Sequence, residues 1–161
     1  MQAFAQWLAS TPASNAIQRE LWLVALLQVV HILAIAMVLS SAAMIALRVL
    51  GLIRLQTMAQ TVHRFLPWLW TGLVLLAATG LTLIVAEPKR SLLNPAFQLK
   101  MLMLALAVAT TLAFAASLRR NAAFWEQMPR PRAIGLVAVF TFLLWCAIAI
   151  AGRWIAYLQA A

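Results

Sequence analysis

The sequence predicts an all-α fold, an integral membrane antiparallel four-helix bundle with a short N-terminal amphipathic surface helix. Three observations carry that expectation. Of the 161 residues, 66% are hydrophobic and 9% are charged, against about 25% charged in a soluble domain, so polar groups are too few to cover a water-facing surface. Four apolar runs of membrane-spanning length follow one another. The basic residues gather in the short segments between those runs.

The first run covers residues 21–50 and is broken only by Gln28, His31, Ser40, Ser41 and Arg48. The others cover 66–86, 99–118 and 134–157. Each meets the roughly 20 residues needed to cross about 30 Å of hydrocarbon at about 1.5 Å per residue. Lipid offers no partner to an open backbone, so each run is expected to be helical. Between the second and third, Pro88, Lys89, Arg90, Asn94 and Pro95 read as a helix stop and a turn. Trp68, Trp70, Trp125, Trp154 and Tyr157 stand near run ends as candidate interfacial belt residues. In residues 1–18, Phe4, Trp7 and Leu8 share a helical face, and Thr11 followed by Pro12 makes an N-cap and first helical position. That segment is expected to lie on the membrane surface. The length allows a single domain over 1–161.

The net charge of +9 would point to nucleic acid in a soluble protein. Its placement in loops fits retention on the cytoplasmic side instead, and no nucleic-acid partner is expected. The first and third loops, with Arg48 at their edge, hold seven Lys and Arg; the remaining segments hold five. The bias predicts both termini outside, which is the periplasm for the bacterial inner (cytoplasmic) membrane in which the chain is expected. The first basic residue is Arg19, so the charged start of a cleavable signal is missing and the first run is expected to remain as a span.

His31 lies about ten residues into the first span, about 15 Å from its outer end. An ionisable group at that depth is a functional-site candidate. Two readings stay open: an axial ligand to haem iron through a neutral imidazole, or an inter-helix hydrogen bond helped by Gln28. Lys100 opens the third span, and Arg153 and Tyr157 close the fourth. In an antiparallel bundle these share one membrane face with the start of span one, so they can converge above His31. Cations there suit haem propionates or a quinone carbonyl; alternatively, Lys100 and Arg153 snorkel to headgroups. His63 belongs to the opposite face, because His31 stands roughly 28 Å along the axis from the end of span one. It reads as an interfacial residue. Met37 and Met44 are too deep to serve as a second iron ligand. Arg48 is read as structural, paired with lipid phosphate or with Glu126. Gly72, Thr79 and Gly80, and likewise Ala147 and Ala151, form small-residue stripes for helix packing.

Other chemistry is excluded by composition. Asp is absent, the three Glu are loop or boundary residues, and Cys146 is the single cysteine. No phosphate loop, zinc-protease, serine-hydrolase or redox dithiol motif occurs. Hydrolysis and phosphoryl transfer are therefore not expected.

The motifs run Trp7-Leu-Ala-Ser-Thr-Pro, Val-Val-His31-Ile-Leu, Ala46-Leu-Arg48-Val-Leu-Gly51, Phe65-Leu-Pro-Trp68, Thr79-Gly80, Glu87-Pro88, Asn94-Pro-Ala-Phe-Gln-Leu-Lys100 and Gly152-Arg153-Trp-Ile-Ala-Tyr157. In that order the chain resembles a bacterial family of four-span membrane proteins described as a domain of unknown function. That family usually carries an acid where this chain has Ala46, and often a histidine where it has Ala115 to Ser117. More distantly, the layout looks like the HemJ-type protoporphyrinogen oxidases and the copper-export CopD proteins, which share a first-span histidine and a lysine opening the third span. The HemJ likeness implies haem b at His31 with Lys100 beside it.

The expected function is a membrane b-type haem protein for electron transfer, linked to quinone or to a partner redox subunit, in the lipid bilayer. His31 would ligate iron, Lys100 and Arg153 would hold propionates or quinone oxygens, and Tyr157 would donate a hydrogen bond. Two other readings remain: a non-catalytic anchor or assembly subunit, as a homo-oligomer or within a larger complex, and a copper or small-metabolite permeation protein.

Overall fold

The structure, a computed structural model, describes residues 2–88, 94–127 and 131–154. Its elements are α1 (Gln2–Ala9), α2 (Pro12–Arg19), α3 (Leu21–Val49), α4 (Met58–Ala86), α5 (Pro95–Arg120), α6 (Ala122–Glu126) and α7 (Arg132–Trp154). No strand occurs among the described residues. The long helices α3, α4, α5 and α7 are each long and apolar enough to cross a membrane. Ile32, Val74, Leu102 and Leu136, one from each, are 62%, 68%, 69% and 70% exposed. Outward-facing aliphatic surface on all four is stable only against hydrocarbon. The chain is a multi-pass membrane protein.

Polar caps set the helix starts and carry them beyond the apolar runs. Thr57 and Gln60 form a reciprocal capping box, so α4 begins eight residues before the run at 66. Asn94 Oδ1 accepts from Ala96 N at 2.9 Å, with Pro95 at the first position of α5. The N-terminal segment is two helices. Thr11 Oγ1 accepts from Ser14 N at 3.4 Å to start α2. Gln18 Nε2 donates to Ala86 O at 2.7 Å, which ties α2 to the last turn of α4.

Short connections make the four long helices alternate in direction. The start of α3, end of α4, start of α5 and end of α7 lie at one end of the bundle, called here the terminal face. The other end is the loop face. Packing runs α4 on α3, α3 on α7 and α7 on α5, whereas the α4 and α5 backbones seldom approach closely and meet only through side chains of the shared core. The bundle therefore has a seam between its second and third spans. Val38, Ala42, Leu69, Ala107, Leu144, Trp145 and Ile148 form the central core. Gly72 permits the close crossing of α3 and α4, since a Cβ there would come 2.7 Å from Val38 Cγ2 and 3.3 Å from Ala34 O.

The loop face is closed by a clasp. Arg48 Nη2 lies 3.6 Å from Glu126 Oε2, and Arg48 Nε donates to Gln56 O at 2.6 Å. Glu126 accepts from Met58 N and Ala59 N, each at 3.0 Å. A carboxylate thus caps the positive end of α4 while neutralising a buried guanidinium. Of the two partners open to Arg48, the structure supplies Glu126. Trp125 departs from the belt role. It is buried, edge-on to Phe114 at 5.0 Å, and donates from Nε1 to Ser117 Oγ at 3.1 Å. A third-loop helix folds it inward, where its N–H finds a partner. Trp68 and Trp154 are exposed, as a belt requires.

Candidate functional site

His31 comes from α3, ten residues past Leu21 and about 15 Å along the helix. It is half-buried. Its Nδ1 lies 2.7 Å from Thr79 Oγ1 on α4. That hydroxyl also lies 2.6 Å from Leu75 O. A carbonyl can only accept, so the single hydroxyl proton of Thr79 goes to Leu75 O, and the threonine oxygen accepts from His31 Nδ1–H. The ring is then the Nδ1–H tautomer, and Nε2 carries a lone pair. Among the described residues Nε2 has no hydrogen-bond partner.

Glycines flank the imidazole and the lysine. A Cβ on Gly80 would sit 3.5 Å from His31 Cε1. On α7, a Cβ on Gly152 would come 3.3 Å from Lys100 Nζ and 3.7 Å from Lys100 Cε. The Lys100 side chain therefore lies across the side-chain-free backbone of Gly152. Lys100 is half-buried, five residues into α5. It stands toward the same terminal face as His31. No hydrogen bond or ion pair holds it among the described residues. All four spans thus contribute to one place: His31, Thr79 with Gly80, Lys100 and Gly152.

The other expected site residues divide. Arg153 follows Gly152 and is exposed at the end of α7, near the site's mouth at the terminal face. Tyr157 lies outside the described residues. Gln28 is exposed, and Thr79 rather than Gln28 bonds the imidazole. His63 is exposed near the loop-face end of α4. Met37 packs at Gly72, where its Cε lies 3.3 Å from a built Cβ. Among the described residues no three His, Cys, Asp or Glu side chains cluster to hold a metal ion. Any iron here would take one protein ligand from this site. Thr79, Gly80 and Gly152 are the members that sequence reasoning did not assign; a threonine followed by glycine in an apolar helix was read as a packing stripe.

No curated protein and no solved structure shows a significant match to this chain. A family model does match, over residues 21–158, and the chain belongs to that family, DUF6644, a family of unknown function.

Proposed function

We propose that this chain is a b-type haem protein that passes electrons within the membrane, exchanging them with a quinone or a partner redox subunit. The observation that supports this is the imidazole whose Nδ1 proton is held by Thr79 while Nε2 is left with its lone pair. A hydrogen bond of that kind fixes the tautomer and orientation of metal-binding histidines.

The residues present fit the group. His31 offers the neutral nitrogen that haem iron takes as a proximal ligand. Lys100, a cation held in an apolar setting with no partner among the described residues, suits an anionic propionate. Arg153 at the mouth would meet the second propionate. The two glycines let the imidazole and the lysine lie close against α4 and α7, and the wide spacing of α4 and α5 would give entry from the bilayer. Bound haem supplies one-electron chemistry; the chain supplies position and charge. Within the chain, Thr79 holds the proton at Nδ1, α3 sets the depth of the imidazole, and Lys100 would hold a propionate. The membrane is taken to be a bacterial inner membrane with both termini periplasmic, from the seven-to-five distribution of Lys and Arg.

The test is a haemin titration of the protein purified in mild detergent, with visible spectra before and after dithionite. One equivalent, a Soret band and its shift on reduction are expected for wild type, and none of these for His31→Ala. A wild type that binds no haem, or a His31→Ala variant that binds it equally, would overturn the proposal.

A further inference from the structure

A second site lies toward the loop face, away from His31. A cavity of about 370 Å³ sits among α3, α5, α6 and α7. Ala42, eleven residues beyond His31 on α3, marks its near end, about 16 Å further along the axis. Its volume falls within the roughly 300–1,000 Å³ range of small-molecule sites. Among the described residues none in its lining is charged, which favours an uncharged occupant. Ala113 and Val137, both in its lining, are exposed on α5 and α7. The opening therefore faces sideways, between the third and fourth spans, into the hydrocarbon.

One polar group in this wall is out of place. Trp145 is 3% exposed, and its Nε1 is buried without a hydrogen-bond partner among the described residues. Of the hydroxyls in the lining, Thr110 and Thr111 donate to carbonyls of their own helix and Ser117 accepts from Trp125, and neither these nor Thr141 accepts from Trp145. A buried donor with no acceptor is costly, and tryptophan N–H groups in protein interiors usually find one. Trp145 is a lining residue whose Nε1 lies just behind the chamber wall, out of contact with water; a hydrocarbon body with one accepting oxygen would satisfy it as the indole turns toward the chamber.

We infer that this cavity binds an uncharged, mostly hydrocarbon molecule bearing a carbonyl, which enters from the bilayer and accepts a hydrogen bond from Trp145. Prenylquinones and the acyl esters of phospholipids share that chemistry. The inference does not depend on haem at His31.

Calorimetric titration of the full chain in detergent tests it, with decylubiquinone as probe and decylbenzene as the carbonyl-free control. Wild type binds one decylubiquinone, and the control at least fivefold more weakly. Trp145→Phe weakens decylubiquinone by about five- to tenfold, the worth of one hydrogen bond, and leaves the control unchanged. Ala138→Phe, which fills the chamber, removes both, and His31→Ala alters neither. Competition by added phosphatidylcholine that is itself relieved by Trp145→Phe identifies the acyl ester as the natural source; lack of competition identifies a quinone-type carbonyl. No binding of decylubiquinone, equal binding of probe and control, or an unchanged affinity in a folded Trp145→Phe overturns the inference.

Discussion

Arg48 and Lys100 are both cations carried into the bundle on apolar helices, at opposite ends, and they differ in company. Arg48 is buried and meets Glu126, whose carboxylate also caps α4. Lys100 is half-buried against a glycine, with no anion among the described residues. Desolvating a charge is costly, and an internal counter-ion offsets that cost. Where the chain supplies the counter-ion, the cation belongs to the architecture. Where none is present among the described residues, the cation is a candidate for a role toward something from outside, as intramembrane ionisable groups are by default.

Three substitutions can break or sharpen that contrast. The largest effect is expected from Glu126→Ala, which strips two hydrogen bonds from the first turn of α4 and leaves the Arg48 guanidinium without its carboxylate. With Glu126 partly exposed, the loss is about 2–3 kcal/mol, read as a clear fall in unfolding temperature in detergent; an unchanged midpoint would remove the clasp from the account. Lys100→Met has the opposite sign. It replaces an unpartnered ammonium with an isosteric apolar chain, and the haem-free protein should gain about 1 kcal/mol while haemin affinity falls. A destabilised Lys100→Met would mean that the lysine is structural, like Arg48. The smallest change in stability is expected from Thr79→Val, about 1 kcal/mol or less for one inter-helix hydrogen bond. Haemin binding should nevertheless weaken by about 10- to 100-fold, as loss of such a support does at metal-binding histidines. Equal affinity in titrations of wild type and Thr79→Val would show that the hydrogen bond only packs helices.

The two ends also differ in how far the sequence disclosed them. The spans were legible because four runs of some twenty apolar residues have few other uses. Their starts were not, because Thr57 with Gln60 and Asn94 with Pro95 extend α4 and α5 through polar residues that hydropathy discounts. His31 and Lys100 stood out as ionisable groups in oil, and antiparallel order put them at one end. Thr79 did not stand out, since pairing it with His31 requires the relative register of two helices, which one chain's periodicity does not encode. Arg48 with Glu126 was legible as one of two options. Trp125 misled because a loop tryptophan beside a membrane resembles an interfacial anchor; only the turn at Asn121 into α6 sends it inward.

The seam between α4 and α5 has a mechanical meaning. The chain is two leaves, α3 with α4 and α5 with α7, joined along the α3–α7 line as a book is joined at its spine and, at the loop face, by the Glu126 clasp to α4. His31 and Thr79 are printed on one leaf and Lys100 and Gly152 on the other. A guest that touches both leaves is also the staple that shuts them, so its arrival and the rigidity of the fore-edge become a single event.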